Sequence, residues 1–146
     1  MVGGRVMLQA QKDEITEHVV YERLSRMMKD PRNRDVLRRI SDDEFRHYSF
    51  WRKHTSRDVK PSMFRVILYV FVVRVFGVTF GVKLMERGEG SAEELYKRMA
   101  ERVAGIEQLI EDEDKHEKLL IGLIDEERLK YVSSMVLGLN DALVEL

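Results

Sequence analysis

Two short segments of this chain recur in the same order in each half, and that repeat limits the folds open to it. Glu14-Ile-Thr-Glu-His-Val-Val-Tyr21 aligns with Glu89-Gly-Ser-Ala-Glu-Glu-Leu-Tyr96; each places Tyr seven residues after Glu and is followed by a charged residue, Arg and a long aliphatic. Further on, Asp42-Asp43-Glu44-Phe45-Arg46-His47 aligns with Glu111-Asp112-Glu113-Asp114-Lys115-His116, both reading acid, Asp, Glu, any residue, base, His. A Glu-to-Tyr segment followed by a Glu-x-x-His segment, twice over, describes two related helical hairpins. Residues seven apart, or three apart, share one side of an α-helix and fall on opposite faces of a strand.

Breaks along the chain agree with long helices. There are two prolines and nine glycines in 146 residues, too few for many short strands. Residues 5–29 carry apolar positions at helical spacing, with no breaker after Gly4. Asp30-Pro31 is a turn signal suited to capping the next helix, whose amphipathic pattern runs through Val36, Leu37, Ile40, Phe45, Tyr48 and Trp51. Residues 63–85 are a mostly apolar run broken by Arg65, Arg74 and Lys83, too interrupted for a membrane span. A buried helix or a subunit contact is the plain expectation there, and a segment lying on a membrane surface the sharper one. Glu86-Arg-Gly-Glu-Gly-Ser91 reads as a lead-in to an amphipathic helix ending near Val103, and Gly105 as a turn before a last helix reaching Lys130. Residues 131–146 carry no charge until Asp141 and stop with the apolar pattern unfinished, so the chain reads as truncated.

With 25 Lys+Arg against 26 Asp+Glu, nothing in the net charge of -1 favours nucleic acid. No cysteine is present, which excludes disulfides, thiolate metal sites and a cysteine nucleophile. No secretory leader is evident at the start, so the domain is expected in the cytoplasm.

The repeat has a chemical reading. On a helix, Glu44 and His47 present a carboxylate and an imidazole to one point, and so do Glu113 and His116. If each hairpin is antiparallel, Glu14 meets the level of His47 about the Asp30-Pro31 turn, and Glu89 that of His116 about a point just before Gly105. Two Glu-x-x-His helices plus one Glu from each of two others is the recipe for a dinuclear carboxylate site in a four-helix bundle. Oxygen and imidazole donors without thiolate suit iron or manganese. A lone Glu-x-x-His is more often a solvated pair, but two with matching partners are far less easily accidental. On the third helix the repeat favours Glu89, while Glu86, three residues earlier, stays equally open because Gly88 and Gly90 loosen the helix. Glu17, His18 and His54 read as neighbours, Trp51 as core, and Tyr21 and Tyr96 as core tyrosines able to hydrogen-bond a carboxylate.

These motifs resemble the ferritin-like superfamily, specifically its rubrerythrin (erythrin) branch, over roughly residues 5–130. The resemblance implies an all-α fold: a ferritin-like four-helix bundle with a long crossover between helices two and three. It implies a di-iron centre (two iron ions, or manganese) reacting with oxygen or peroxide, of the ferroxidase type. Its ligands would be Glu14, Glu44, His47, Glu113 and His116, with Glu89 or Glu86. Full rubrerythrins add a Cys-rich iron site; this cysteine-free chain lacks that electron relay. Residues 130–145, with Gly138-Leu-Asn-Asp141, resemble the opening of the first membrane helix in the vacuolar iron transporter family. That implies residues 1–130 as a ferritin-like domain and 131–146 as the start of a truncated membrane segment. It would make this a membrane-attached cytoplasmic domain of an iron or manganese transporter. A homodimer, and a non-catalytic sensing or dimerisation role, are the remaining expectations.

Overall fold

The computed structural model describes residues 2–144, with the side chains of 3–85, 94–125 and 129–138. Five helices follow in order: α1 (Val2–Met27), α2 (Pro31–Thr55), α3 (Met63–Phe76), α4 (Val78–Met99) and α5 (Ile106–Val144). No strand occurs among the described residues, so the fold is all-α as expected.

α1 and α2 form an antiparallel hairpin across a three-residue turn. Asp30 sets that turn: its carboxylate accepts from the backbone N–H of Arg32 (2.8 Å) and Asn33 (3.4 Å), two of the four donors a helix start leaves free. Pro31 fills the first helical position, where its missing N–H costs nothing. The other Asp30 oxygen takes Lys130 Nζ at 3.0 Å, fastening α5 to the turn and holding the Asp30 carboxyl below its usual range. α1 and α2 pack along their whole length, α3 lies on α1 and α4, and α5 on α4 and α2.

Two apolar clusters lie at different levels of this assembly. One gathers Val20, Leu24, Leu37, Ile40, Val82 and Leu120 with others from all five helices; the second gathers Ala10, Trp51, Tyr96, Val103, Ile106 and Leu109. Each fully buried Leu or Ile contributes roughly 2 kcal/mol relative to exposure. In α1, α2 and α5 the two clusters leave a gap at Glu14, at Glu44 and His47, and at Glu113 and His116. The candidate ligands occupy that gap.

Three expectations are corrected. Residues 63–85 are not one buried helix. They break at Gly77, whose φ of 87° is open to glycine and strained for other residues, and the chain doubles back as α4. The return is tight because Gly81 passes Val73 so closely that an added Cβ would lie 2.1 Å from Val73 Cγ2. Nor is α3 buried all round: Phe64 (77%), Ile67 (59%) and Phe71 (59%) are exposed, together with Leu68 and Val75. Secondly, 86–91 is no lead-in, since α4 runs through it and ends early at Met99, where turns at 100–105 take over. Packing of the flanking turns outweighs the low helix propensity of Gly88 and Gly90. Thirdly, α5 does not end near Lys130 but continues to Val144. Among the described residues no helix is long and apolar enough to cross a membrane.

Candidate metal centre

α1 brings Glu14, α2 brings Glu44 and His47, and α5 brings Glu113 and His116 to one interior level. Ligand atoms of Glu14, Glu44, His47 and Glu113 all lie within 4.8 Å of one another, a grouping that could hold a metal ion. Glu14, Glu44, His47 and His116 are each no more than 2% exposed. His47 Nδ1 faces Glu14 Oε2 (3.5 Å), Glu44 Oε2 (3.3 Å) and Glu113 Oε1 (3.2 Å). His116 Nδ1 faces Glu44 Oε1 at 3.1 Å, so the Glu44 carboxylate lies between the two imidazoles with one oxygen toward each. The rings stand 5.8 Å apart.

These contacts are close but poorly directed. Glu14 Oε2, Glu44 Oε2, His47 Nδ1 and His116 Nδ1 are buried atoms without a hydrogen-bond partner. Leaving one such atom unsatisfied costs about 1–3 kcal/mol, and four of them are aimed at a common space.

Behind each imidazole stands an aspartate from the opposite helix. His47 Nε2 lies 3.2 Å from Asp112 Oδ2, and His116 Nε2 lies 2.9 Å from Asp43 Oδ2. An ionised carboxylate only accepts, so Nε2 carries the proton and each ring turns Nδ1 to the interior. Arg46 binds Asp43 and stands 3.8 Å from Asp112, while Lys115 stands 3.9 Å from Asp112. On the far side, the buried Tyr96 hydroxyl donates to Glu14 Oε1, and its ring packs on Trp51 with centroids 5.4 Å apart.

Electrostatics follow from this crowding. Burial, with Glu44 adding to it, pushes the Glu14 carboxyl up to about 7. Burial and Glu113 push Glu44 the same way, but His116, His47 and Glu14 facing it hold it below its usual range. Burial opposes the charged form of both imidazoles; Glu113, Glu14 and Glu44 overcome it at His47, and Glu44 raises His116 to about 9. Tyr96 is raised well above its ordinary value by burial and the adjacent Glu14. Without a cation, protons neutralise part of this acid cluster.

Five of the seven expected ligands therefore converge; the side chains of the other two, Glu86 and Glu89, lie outside the described residues. His18 is turned away to the Ser41 carbonyl (2.8 Å), and His54 to the Phe50 carbonyl (3.0 Å). Tyr96 does bond a carboxylate, and Tyr21 is buried at 1% exposure. Asp43 and Asp112 were missed as site residues, although both repeats carry an Asp immediately before the Glu. Comparison with protein-family models, curated proteins and solved structures finds no match to this chain.

Proposed function

We propose that this chain is a ferritin-like, rubrerythrin-type domain that binds two iron ions, or manganese in their place, and oxidises Fe(II) with oxygen or peroxide. In this reading α1, α2, α4 and α5 are the four helices of the bundle, and α3 belongs to the crossover between its second and third. The observation that carries it is the Glu44 carboxylate set between two inward-facing imidazole nitrogens, all buried and short of partners. Two Glu-x-x-His segments that share one carboxylate in this way match the dinuclear carboxylate recipe, which is what favours two cations over one in this reading. Glu89 is the preferred sixth ligand, because the repeat equates it with Glu14, with Glu86 the alternative.

The residues fit such a pair by number and type: carboxylates and imidazoles, two of the imidazole nitrogens oriented by second carboxylates. Bound there, iron supplies one-electron redox chemistry and a positive charge that offsets the carboxylates. Glu14, pinned by Tyr96 at Oε1, keeps Oε2 for the interior. His47 and His116 release the Nδ1 proton on cation binding, while Asp112 and Asp43 hold the rings in place. The apolar clusters at either side keep bulk water from the pocket.

The test is the count of Fe(II) or Mn(II) bound per chain in the wild type and in the Glu44→Ala, Glu113→Ala double variant. Two ions falling to none or one is the expected result; two ions retained by the variant sinks the proposal. Oxygen consumption on adding Fe(II) separates an oxidase from a module that only binds. That second reading, a metal-sensing or dimerising part of an iron or manganese transporter, is favoured by the exposed apolar stripe of α3 and the exposed Tyr131, Val132, Met135 and Leu137 of α5. On either reading we assign the domain to the cytoplasm, beside a membrane.

A further inference from the structure

On the outer side of α1 a cavity of about 540 Å³ opens between that helix and the segment after α2, and a second of about 390 Å³ adjoins it through Arg5, Leu8 and Arg57. Arg5 and Lys12 line it from α1, Arg57 and Lys60 from the opposite wall. None of these four cations pairs with a carboxylate among the described residues, so all four are open to an anion. The single carboxylate in the wall, Asp58, is already engaged by Arg52 Nε at 2.8 Å and by the Tyr48 hydroxyl at 3.3 Å.

The arrangement is built rather than incidental. Gln11, fully buried, donates from Nε2 to the Arg57 carbonyl (2.7 Å) and accepts from the Thr55 hydroxyl (2.6 Å). Beyond it, the Ser62 N–H donates to the buried Thr16 hydroxyl at 3.0 Å. The segment is thus strapped to α1 at both ends, with Ser56 in a left-handed conformation (φ 52°) turning the chain out of α2. Four exposed like charges along one open groove repel one another and leave a positive potential there that favours an anion. Arg5 and Arg57 contribute two guanidinium forks, the groups suited to phosphate oxygens, and Leu8 and Val59 contribute apolar lining. Lys12 and Glu14, two residues apart, project from α1 about 160° apart, so these charges are not counter-ions for the metal centre.

We infer that this groove binds an anion carrying more than one phosphate group, either a soluble phosphate compound or a phosphorylated lipid headgroup. The probe is tripolyphosphate, titrated calorimetrically into the full chain. Saturable one-to-one binding is expected, weakened by salt and reduced about tenfold or more in Arg57→Gln, Lys60→Gln. That pair leaves the backbone carbonyl held by Gln11 untouched, and an unchanged helical spectrum and melting temperature verify the fold. Arg38→Gln, Arg39→Gln, two exposed cations on α2, should leave binding unaltered. Absence of saturable binding at low salt, or equal losses in both double variants, overturns the assignment. Sedimentation with vesicles containing phosphatidylinositol bisphosphate, whose headgroup carries more than one phosphate, separates the sources. Tripolyphosphate binding without vesicle binding identifies a soluble ligand; vesicle binding that tripolyphosphate competes away and the groove variant lacks identifies a headgroup.

Discussion

Replacing Glu14 by Gln should stabilise the metal-free protein while removing its response to metal. Glu14 is buried, and its carboxyl is raised from 4.5 to about 7, first by burial and then by Glu44. Between those values the folded chain holds a proton that the unfolded chain has released, so stability falls as pH rises through the window. By about pH 8 the ionised carboxylate costs the fold about 3 kcal/mol. Glutamine removes that charge and can still accept from Tyr96, but its NH₂ or oxygen must face His47 Nδ1 less favourably than a carboxylate does, returning about 1 kcal/mol. The expected net gain in a chelating buffer is about 2 kcal/mol, or a melting temperature about 5 °C higher. Near pH 4 both states are largely protonated and the gain should vanish. With Fe(II) or Mn(II) in excess the order reverses, because the wild type alone gains about 4 kcal/mol at a thousandfold excess over Kd. Denaturant melts at the two pH values, with and without metal, supply all four numbers. A variant less stable than wild type in chelator at pH 8, or an equal gain at pH 4, would refute the assignment of charge burial as the cause.

Asp112→Asn, acting on His47, and Asp43→Asn, acting on His116, should each lower metal affinity about 10- to 100-fold in a competition titration while leaving helical content intact; unaltered affinity would show that the two rings need no such support. Gly81→Ala should destabilise by about 1–3 kcal/mol in urea unfolding, and Val73→Ala added to it should recover much of the loss, because the new methyl meets Val73 Cγ2. If a second copy covers the α3 stripe, light scattering should find a dimer in the wild type and a monomer in Phe71→Glu; a monomeric wild type discards that arrangement.

The helix class and the gathering of ligands were legible because both rest on local periodicity. Glu44 and His47 share a helix face whatever surrounds them, and the Asp30-Pro31 turn fixes which level of α1 faces them, so Glu14 could be placed without coordinates. What could not be read depended on partners distant in sequence. The stretch 63–85 has the composition of a buried helix; only the approach of Gly81 to Val73 shows that it folds into two helices with one face left outside. The helical path through Gly88 and Gly90 likewise goes against local propensity. At the site itself, the aspartates escaped notice because Asp43 lies four residues before His47 on the same helix, a spacing that suggests a local pair. Its actual partner is His116, 73 residues away.

That exchange explains why the motif occurs twice. Within one helix an Asp-Glu-x-x-His segment supplies a ligand carboxylate, a ligand imidazole and an orienting carboxylate, but the last cannot serve its own imidazole while that ring turns Nδ1 inward. Two copies facing each other resolve the conflict: Asp43 orients His116, Asp112 orients His47, and Glu44 reaches both rings. Each half of the chain is therefore incomplete without the other, and the reciprocal bonds link α2 to α5, which otherwise share little packing. Solvated Glu-His pairs arising by composition would carry no such crossed partnership. Buried polar atoms would also be expected to find local hydrogen bonds rather than stay unpaired around a common point. The group could hold a cation, whose charge would offset this much acid in an apolar interior.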